Sequence, residues 1–185
     1  KGGIFMKDYK TANLRNVGIL GHGGSGKTSI AEAMLYNTGV LDRFGKVDDG
    51  TTTTDYDPEE IKRKVSISAS MAPCEWKEKR INVIDTPGYF DFVGEVYSAL
   101  QVIDSVVIMV DAVGGVEVGA EKAWDYINDK HKAACIFVNK LDRENASFDK
   151  TLTKLREMFG NKVVPIAIPI GVEANLKGVV DILDM

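Results

Sequence analysis

A glycine-rich segment that begins at Gly21 has the composition of a loop that binds phosphate groups. It reads Gly21-His22-Gly23-Gly24-Ser25-Gly26-Lys27-Thr28, is followed by Ser29, and fits the pattern G-x-x-x-x-G-K-[ST]. Glycines allow successive backbone N–H groups to surround an anion, and the N-terminus of a following helix adds partial positive charge. The Lys27 ammonium can bridge the outer phosphates, and the Thr28 hydroxyl can bind Mg²⁺. We therefore predict that the residues from Gly21 to Ser29 bind the polyphosphate of a nucleotide.

The same segment also contains G-x-G-x-x-G, through Gly21, Gly23 and Gly26, which is typical of dinucleotide-binding loops. That interpretation requires a second strand that ends in an acidic residue about 20 positions further on. The stretch from Val40 to Asp49 holds acidic residues but has no strand-like run before them. The phosphate-binding loop is therefore favoured, and a dinucleotide-binding loop and a merely structural tight turn are the alternatives.

A second motif, Asp85-Thr86-Pro87-Gly88, follows the strand-like run from Ile81 to Ile84. A carboxylate at the carboxyl end of a buried strand, beside a phosphate loop, can hold Mg²⁺, usually through water. The backbone N–H of Gly88 can approach a γ-phosphate because glycine lacks a Cβ atom. For Asp85 the alternative role is that of a helix cap.

A third motif, Asn139-Lys140-Leu141-Asp142, follows another apolar run. The Asp142 carboxylate has two acceptor oxygens, which match the adjacent ring N–H and amino donors of guanine and nothing equivalent on adenine. Asn139 can bind the base or brace the phosphate loop, and the Lys140 stem can lie along the ring. Three such motifs, in this order and each at a strand end, predict a guanine-nucleotide GTPase domain. An adenine-specific phosphate-loop protein is the alternative.

Strand-length apolar runs alternate with helix-length amphipathic stretches along the chain, which is typical of a parallel sheet flanked by helices. The predicted fold is α/β, a P-loop NTPase (G-domain) three-layer sandwich in which a mostly parallel sheet has helices on both faces. Strands are predicted at residues 16–20, 65–69, 80–84, 105–110, 133–138 and 163–170, the second of them at a sheet edge. Helices are predicted at residues 27–39, 92–100, 120–127 and 148–159. The polar stretch from Leu41 to Lys64 is predicted to be a mobile loop with one helical turn after Pro58.

Composition restricts the class of protein. A chain of 185 residues with 44% hydrophobic and 27% charged residues has the size and mixture of one soluble globular domain. The net charge of -4 gives no general attraction to nucleic acid, so we expect no direct DNA binding. No apolar run approaches the ~20 residues of a spanning helix, so we expect no membrane association. Cys74 and Cys135 form no C-x-x-C pair, which predicts a reducing, cytosolic setting without a disulfide or zinc site, and Cys135 is predicted to be a core residue.

The motifs GHGGSGKT, DTPGYFDFVGEV and NKLD resemble those in the GTPase domains of translational GTPases of the elongation factor G type. The resemblance extends from about Asn13 to the end of the chain. It implies a cytoplasmic, Mg²⁺-dependent and ribosome-stimulated GTPase that works in protein synthesis with GTP and GDP. It also implies that Leu41 to Ser66 is switch one, that Asp85 to about Glu95 is switch two, and that Ser66 stands where a threonine hydroxyl meets Mg²⁺. Thr28, Ser66 and Asp85 are therefore the predicted metal ligands.

Several positions depart from the pattern of this family. Tyr89 stands where elongation factor G usually has the histidine that orients the attacking water, and a phenol cannot become a cation at neutral pH. One hypothesis is GTP hydrolysis that uses Tyr89, Lys27 and the Gly88 amide. The alternative is a GTP-dependent switch with weak or no hydrolysis. Gly24 in place of the usual aspartate, and Lys64 in place of a glycine, indicate a paralogue.

The resemblance also divides the chain. Residues 1–12 are expected to be an extension or a remnant of expression, residues 13–169 a truncated G domain, and residues 170–185 the start of an inserted subdomain. The family's last base-contacting loop would then lie beyond Met185. We accordingly expect an N-terminal fragment with weakened nucleotide affinity and an incompletely closed sheet.

Overall fold

A five-stranded sheet forms the centre of the computed structural model, which describes residues 8–183. Its strands are β1 (Leu14–Gly21), β2 (Ser70–Trp76), β3 (Lys79–Asp85), β4 (Ser105–Asp111) and β5 (Ala133–Asn139). The helices are α1 (Lys27–Asn37), α2 (Pro58–Arg63), α3 (Val93–Val102), α4 (Val118–Lys130) and α5 (Phe148–Phe159). A separate two-stranded antiparallel sheet consists of β6 (Ala167–Ile170) and β7 (Gly178–Asp181).

The central sheet is mostly parallel and has the strand order β2-β3-β1-β4-β5. Its antiparallel pair, β2 with β3, is joined by a two-residue turn in which Lys77 and Glu78 both have positive φ angles, as a type I′ hairpin requires. Because β1, β3, β4 and β5 run parallel, their carboxyl ends meet along one edge of the sheet. The three sequence motifs follow β1, β3 and β5, so the fold brings them to this edge.

Helices cover both faces of the sheet, as predicted. On one face, buried side chains of α3, α4 and α5 pack with Leu20, Ile84 and the inward residues of β4. On the other face, Ala31 and Leu35 of α1 pack with Ile19 and with residues of β2 and β3. Successive strand residues such as Ile19 and Leu20 point to opposite faces, which is why both are buried. Within residues 8–183, no helix combines the length and the apolar character needed to cross a bilayer.

Most of the predicted elements are confirmed, with boundaries shifted by a few residues. The predicted strands at 16–20, 80–84, 105–110 and 133–138 lie within β1, β3, β4 and β5, and the four predicted helices correspond to α1, α3, α4 and α5. The helical turn expected after Pro58 is α2. The Asp57 carboxylate caps it by accepting the backbone N–H of Glu59 at 2.8 Å.

The predicted edge strand at residues 65–69 is wrong, because this segment has no strand structure and the edge strand is β2. Side chains, not a neighbouring strand, bind the backbone donors of the segment. The Glu60 carboxylate accepts the N–H groups of Ile67 at 2.9 Å and Ser68 at 3.1 Å, and the Glu95 carboxylate accepts that of Ala69 at 2.8 Å. With these donors bound, the segment cannot pair as a strand.

The prediction that Cys135 is a core residue is also wrong, because its side chain is exposed. β5 is the outer strand of the described sheet, and its side chains alternate between the two faces. Ile136 and Val138 face the core under α4 and α5. Cys135 and Phe137 face the other side, where α1 packs mainly on β1, β2 and β3.

The last predicted strand, at 163–170, is confirmed only for β6, at its carboxyl end. The start of the run is bonded to the end of α5 instead: the Val163 N–H donates to the carbonyl oxygen of Gly160 at 3.3 Å, and the Val163 carbonyl oxygen accepts Nε of Arg156 at 3.2 Å. β6 pairs with β7 and does not join the central sheet. The division of the chain at residues 12/13 and 169/170 stays a prediction, and residues 1–7 and 184–185 lie outside the described part.

Candidate nucleotide-binding site

The three sequence motifs meet at one cleft of about 470 Å³ at the carboxyl ends of β1, β3 and β5. Open α/β sheets commonly bind ligands at this edge, and the volume is typical of a small-molecule site. Segments of the long 41–66 stretch form the remaining wall. The predicted site residues that line the cleft are Gly23, Gly24, Gly26, Lys27, Thr28, Ser29, Ser66, Gly88, Tyr89, Asn139, Lys140 and Asp142.

Four other predicted site residues do not line the cleft: Gly21, His22, Ser25 and Asp85. The His22 side chain is partly exposed, and its Nε2 lies 3.6 Å from a carboxylate oxygen of Glu117. The Ser25 side chain is buried, and its hydroxyl donates to the carbonyl oxygen of His22 at 2.9 Å. Gly21 packs against the backbone of Met109 so closely that a Cβ atom would lie 2.6 Å from the carbonyl oxygen. Gly21 and Ser25 thus shape the phosphate loop (residues 21–28) from within. The fourth, Asp85, is buried below the loop with 2% of its surface exposed.

Gly26 determines how the phosphate loop enters α1. It is the N-cap of this helix and has a φ of +98°, in the left-handed region that favours glycine. A Cβ atom at Gly26 would also collide with the side-chain amide of Asn139. A glycine is therefore needed for the backbone angle and for the close approach. The result is that the first turn of α1 lines the cleft with its unpaired backbone N–H groups.

Lys27 is a buried cation at the base of the cleft, with 6% of its surface exposed. Its Nζ donates to the carbonyl oxygen of His22 at 2.8 Å. Burial lowers the pKa of Lys27 to about 8, and the nearby Asp85 carboxylate opposes that change. Gly88 packs so closely on this ammonium that a Cβ atom would collide with it. The ammonium and the backbone of Gly88 thus lie side by side, where one anion in the cleft could contact both.

Of the three residues predicted to bind Mg²⁺, Thr28 contacts both of the others. The Thr28 hydroxyl donates to Asp85 Oδ2 at 2.7 Å and lies 3.1 Å from the Ser66 hydroxyl oxygen. Thr54, which the sequence did not single out, also donates its hydroxyl to Asp85 Oδ2, at 2.9 Å. The other oxygen, Oδ1, is buried without a hydrogen-bond partner among the described residues. Burial raises the pKa of Asp85 to about 6, against the opposing hydrogen bond from Thr28.

Asp55 is a second buried carboxylate at this cluster, and sequence reasoning missed it. It is 4% exposed and lines the cleft, and within residues 8–183 neither of its oxygens has a hydrogen-bond partner. Burial raises the pKa of Asp55, and the neighbouring Ser66 hydroxyl offsets only part of the rise. The sequence offered no signal for it, because Asp48 and Asp49 stand in the same polar stretch without any strand or helix pattern.

The oxygen atoms of this cluster suit Mg²⁺. The two carboxylates and the hydroxyls are the hard oxygen ligands that this ion prefers. Three buried carboxylate oxygens, both of Asp55 and Oδ1 of Asp85, lack protein partners among the described residues, which is costly unless a cation or water binds them. In the described part of the chain, no group of three or more His, Cys, Asp or Glu side chains is arranged so that it could hold a metal ion, so the hydroxyls are needed in this cluster.

Tyr89 lies at the mouth of the cleft, over the phosphate loop. Its ring is so close to Gly23 that a Cβ atom on that glycine would lie 2.9 Å from two ring carbons. The residue is 47% exposed and also lines the cleft, next to Gly88. Its ring therefore covers the phosphate loop at Gly23, while Gly24 stays exposed.

The third motif is tied to the phosphate loop by two side chains. Asn139 Nδ2 donates to the carbonyl oxygen of Ser25 at 2.9 Å, and Lys140 Nζ donates to that of Gly24 at 2.8 Å. Of the two roles left open for Asn139, the contact that braces the loop is present. Asp142 is exposed at the far end of the same cleft. A ligand that contacts both ends of the cleft would thus carry an anionic group that binds the phosphate loop and hydrogen-bond donors that face Asp142.

Comparison with known proteins identifies relatives of this chain. Residues 12–184 match the family model of the elongation factor Tu GTP binding domain. The chain is similar to an elongation factor G-like protein of Thermotoga maritima, with 40% identity over 171 residues that make up 92% of this chain and 24% of that protein. An elongation factor G of Granulibacter bethesdensis is 42% identical over 180 residues, 97% of this chain and 26% of that protein. The chain thus spans about a quarter of the length of these relatives.

A solved structure shows the same fold. A crystal structure of a protein from Thermus thermophilus superposes with a TM-score of 0.87 at 38% sequence identity. The match covers 92% of this chain and 26% of that one. The mostly parallel α/β fold described above is therefore shared with a related sequence.

Proposed function

We propose that this chain, which belongs to the family of elongation factor Tu GTP binding domains, binds GTP with Mg²⁺ and hydrolyses it to GDP and phosphate. One observation carries the proposal: residues of the phosphate loop, Gly88 of the second motif and residues of the 139–142 motif line one cleft, with Asp85 buried directly below the loop. The loop and the first turn of α1 supply backbone N–H groups for the polyphosphate. Asp142 supplies the acceptors that distinguish guanine from adenine.

We assign the Mg²⁺ to the oxygen cluster of Thr28, Ser66, Asp85 and Asp55. The Thr28 and Asp85 side chains are already hydrogen-bonded to each other, and Asp55 contributes unpartnered oxygens from the 41–66 stretch. When bound, this ion neutralises charge on the outer phosphate oxygens. Because Asp55 and Ser66 come from the same long stretch, binding of the ion would also fix that stretch against the phosphate loop.

Replacing Asp55 with asparagine should raise the Mg²⁺ concentration needed for half-maximal tightening of GDP binding by about 10-fold, since a neutral amide is a weaker ligand than a carboxylate. The measurement is a titration of Mg²⁺ against the dissociation constant for a fluorescent GDP analogue. Asp48→Asn is the matched control, because Asp48 lines the same cleft but is exposed. Equal Mg²⁺ dependence in Asp55→Asn and the wild type would remove Asp55 from the metal site.

In hydrolysis, a water molecule attacks the γ-phosphate in line with the bond that breaks. The Lys27 ammonium and the Gly88 backbone N–H stabilise the charge that develops on the phosphate oxygens. Tyr89 lies beside both at the cleft mouth, where its hydroxyl would accept or donate a hydrogen bond to the attacking water. Lys27, Gly88 and Tyr89, which contact the reacting groups in this proposal, all belong to this chain.

The second candidate function is a GTP-dependent switch with weak or no hydrolysis. The observation that favours it is the phenol at position 89, which cannot become a cation at neutral pH and balance charge in the transition state. In this case the bound nucleotide would act by setting the conformation of the 41–66 stretch and of the residues after Asp85.

Single-turnover GTP hydrolysis, with and without ribosomes, distinguishes the two candidates. If Tyr89 acts in hydrolysis, Tyr89→Phe should slow the wild-type rate by about 10-fold through loss of the hydroxyl. The control is the GDP affinity, which should stay equal in the two proteins. If Tyr89→Phe hydrolyses GTP at the wild-type rate and Tyr89→His hydrolyses it at least about 10-fold faster, Tyr89 is not catalytic. The GTP-dependent switch is then the better account.

The names of the relatives extend the proposal beyond the site. Because several are called elongation factor G, we propose that this chain works in protein synthesis in the cytoplasm, with the ribosome as its partner. The described surface adds one supporting feature: the 41–66 stretch and Tyr89 both reach solvent beside the cleft, where a partner would sense the bound nucleotide.

A further inference from the structure

We infer that Asp111, which lies outside all three motifs, is a positioning residue for guanine recognition and acts by holding Lys140 at the edge of the cleft. The inference rests on the proposed function. Asp111 is the last residue of β4, the strand that lies between β1 and β5. It is therefore placed between the phosphate loop that follows β1 and the 139–142 motif that follows β5.

The Asp111 carboxylate is itself fixed by the backbone that follows it. Its Oδ1 accepts the N–H of Val113 at 2.8 Å and that of Gly114 at 3.4 Å. Such a local side-chain turn holds the carboxylate in one orientation. The second oxygen, Oδ2, is left free to bind a cation, and it accepts a hydrogen bond from Lys140 Nζ at 2.5 Å.

The Lys140 ammonium joins two elements at once. Besides Asp111, it binds the carbonyl oxygen of Gly24 in the phosphate loop at 2.8 Å. The side chains of Lys140 and Asp111 are only 22% and 15% exposed, so solvent screens their attraction less than that of a surface pair. Burial by itself would raise the pKa of Asp111, but the hydrogen bonds from Lys140 and the two amides outweigh burial and lower it. The carboxylate is thus charged at neutral pH.

The backbone of Lys140 makes this contact relevant to Asp142. Lys140 has a φ of +59°, an uncommon conformation for a residue with a side chain, and its carbonyl oxygen accepts the N–H of Arg143 at 3.2 Å to close a turn. Asp142 lies in this turn. Since the side-chain contacts with Asp111 and Gly24 stabilise the strained residue at its start, loss of Asp111 would loosen the turn that presents Asp142 to the base.

A double-mutant cycle tests this inference, with the dissociation constant for a fluorescent GDP analogue as the readout. Asp111→Asn keeps an acceptor for the local turn but removes the charge, and it should weaken GDP binding by about 10-fold. Lys140→Met should weaken binding at least as much. The double variant should then bind GDP within about 2-fold of Lys140→Met alone, because Asp111 acts only through Lys140.

Controls separate a positioning role from a merely structural one. Asp129→Asn makes the same chemical change in an ion pair at 3.5 Å on the exposed end of α4 and should leave GDP binding unchanged. If Asp111→Asn does not fold, Asp111→Ser keeps a side-chain acceptor for the turn and takes its place in the cycle. Independent, multiplicative effects of the two substitutions would overturn the inference. If the wild type binds no guanine nucleotide, both the proposed function and the inference fail. If the wild type binds GDP but the effects of the two substitutions are multiplicative, only the inference fails.

Discussion

Asp142→Asn is expected to lower the affinity for GDP by about 100-fold and to raise that for xanthosine diphosphate, so that the preference between the two bases reverses. Guanine presents two adjacent donors, the ring N–H and the amino group, and a carboxylate accepts both. An asparagine side chain has one acceptor and one amino group. Its amino group faces the guanine amino donor unfavourably but donates to the carbonyl oxygen that xanthine has at this position.

The measurement is competition of GDP and xanthosine diphosphate against a fluorescent analogue, at a fixed Mg²⁺ concentration. Asp149→Asn is the matched control, because Asp149 is exposed in the first turn of α5 and does not line the cleft. An unchanged base preference in Asp142→Asn would mean that Asp142 does not contact the base.

Gly26→Ala is expected to reduce nucleotide affinity by about 100-fold or more, because it combines backbone strain with a steric collision. At a φ of +98°, an L side chain is strained, and the new Cβ would displace the Asn139 amide that braces the loop through Ser25. Both effects distort the N–H groups that would bind the phosphates. The measurement is the GDP dissociation constant, together with the thermal midpoint of unfolding.

Gly39→Ala is the matched control for this substitution. Gly39 has a φ of +76°, and a Cβ atom there would contact nothing within 4 Å. The control therefore carries similar backbone strain, outside the cleft, and should lower the thermal midpoint while GDP affinity stays at the wild-type value. Wild-type affinity in Gly26→Ala would contradict the geometry described for the phosphate loop.

The sequence was most informative where a site is built from consecutive residues. A phosphate loop depends on neighbouring backbone groups, so the spacing from Gly21 to Thr28 was sufficient to place it, and the cleft brings the 139–142 motif to the same edge. The parallel strands were predictable for a similar reason, since a strand buried on both faces is a continuous apolar run, as in β4.

The sequence was least informative where long-range contacts decide the structure. Asp55 and Thr54 join the oxygen cluster because of the path of the 41–66 stretch, which has no periodicity to reveal it. Residues 65–69 alternate like a strand, but the carboxylates of Glu60 and Glu95 bind their backbone donors. The pair of Asp111 and Lys140 joins two strand ends that are distant in sequence. No local pattern encodes such contacts.

Calorimetric titration of the folded chain with GDP, GTP and ATP, in the presence and absence of Mg²⁺, tests the central claim most directly. We predict saturable binding of one GDP or GTP per chain, tighter with Mg²⁺, and no detectable binding of ATP at the same concentrations. Absence of heat with both guanine nucleotides at millimolar concentration, or equal affinity for ATP, would contradict the claim that this cleft holds a guanine nucleotide.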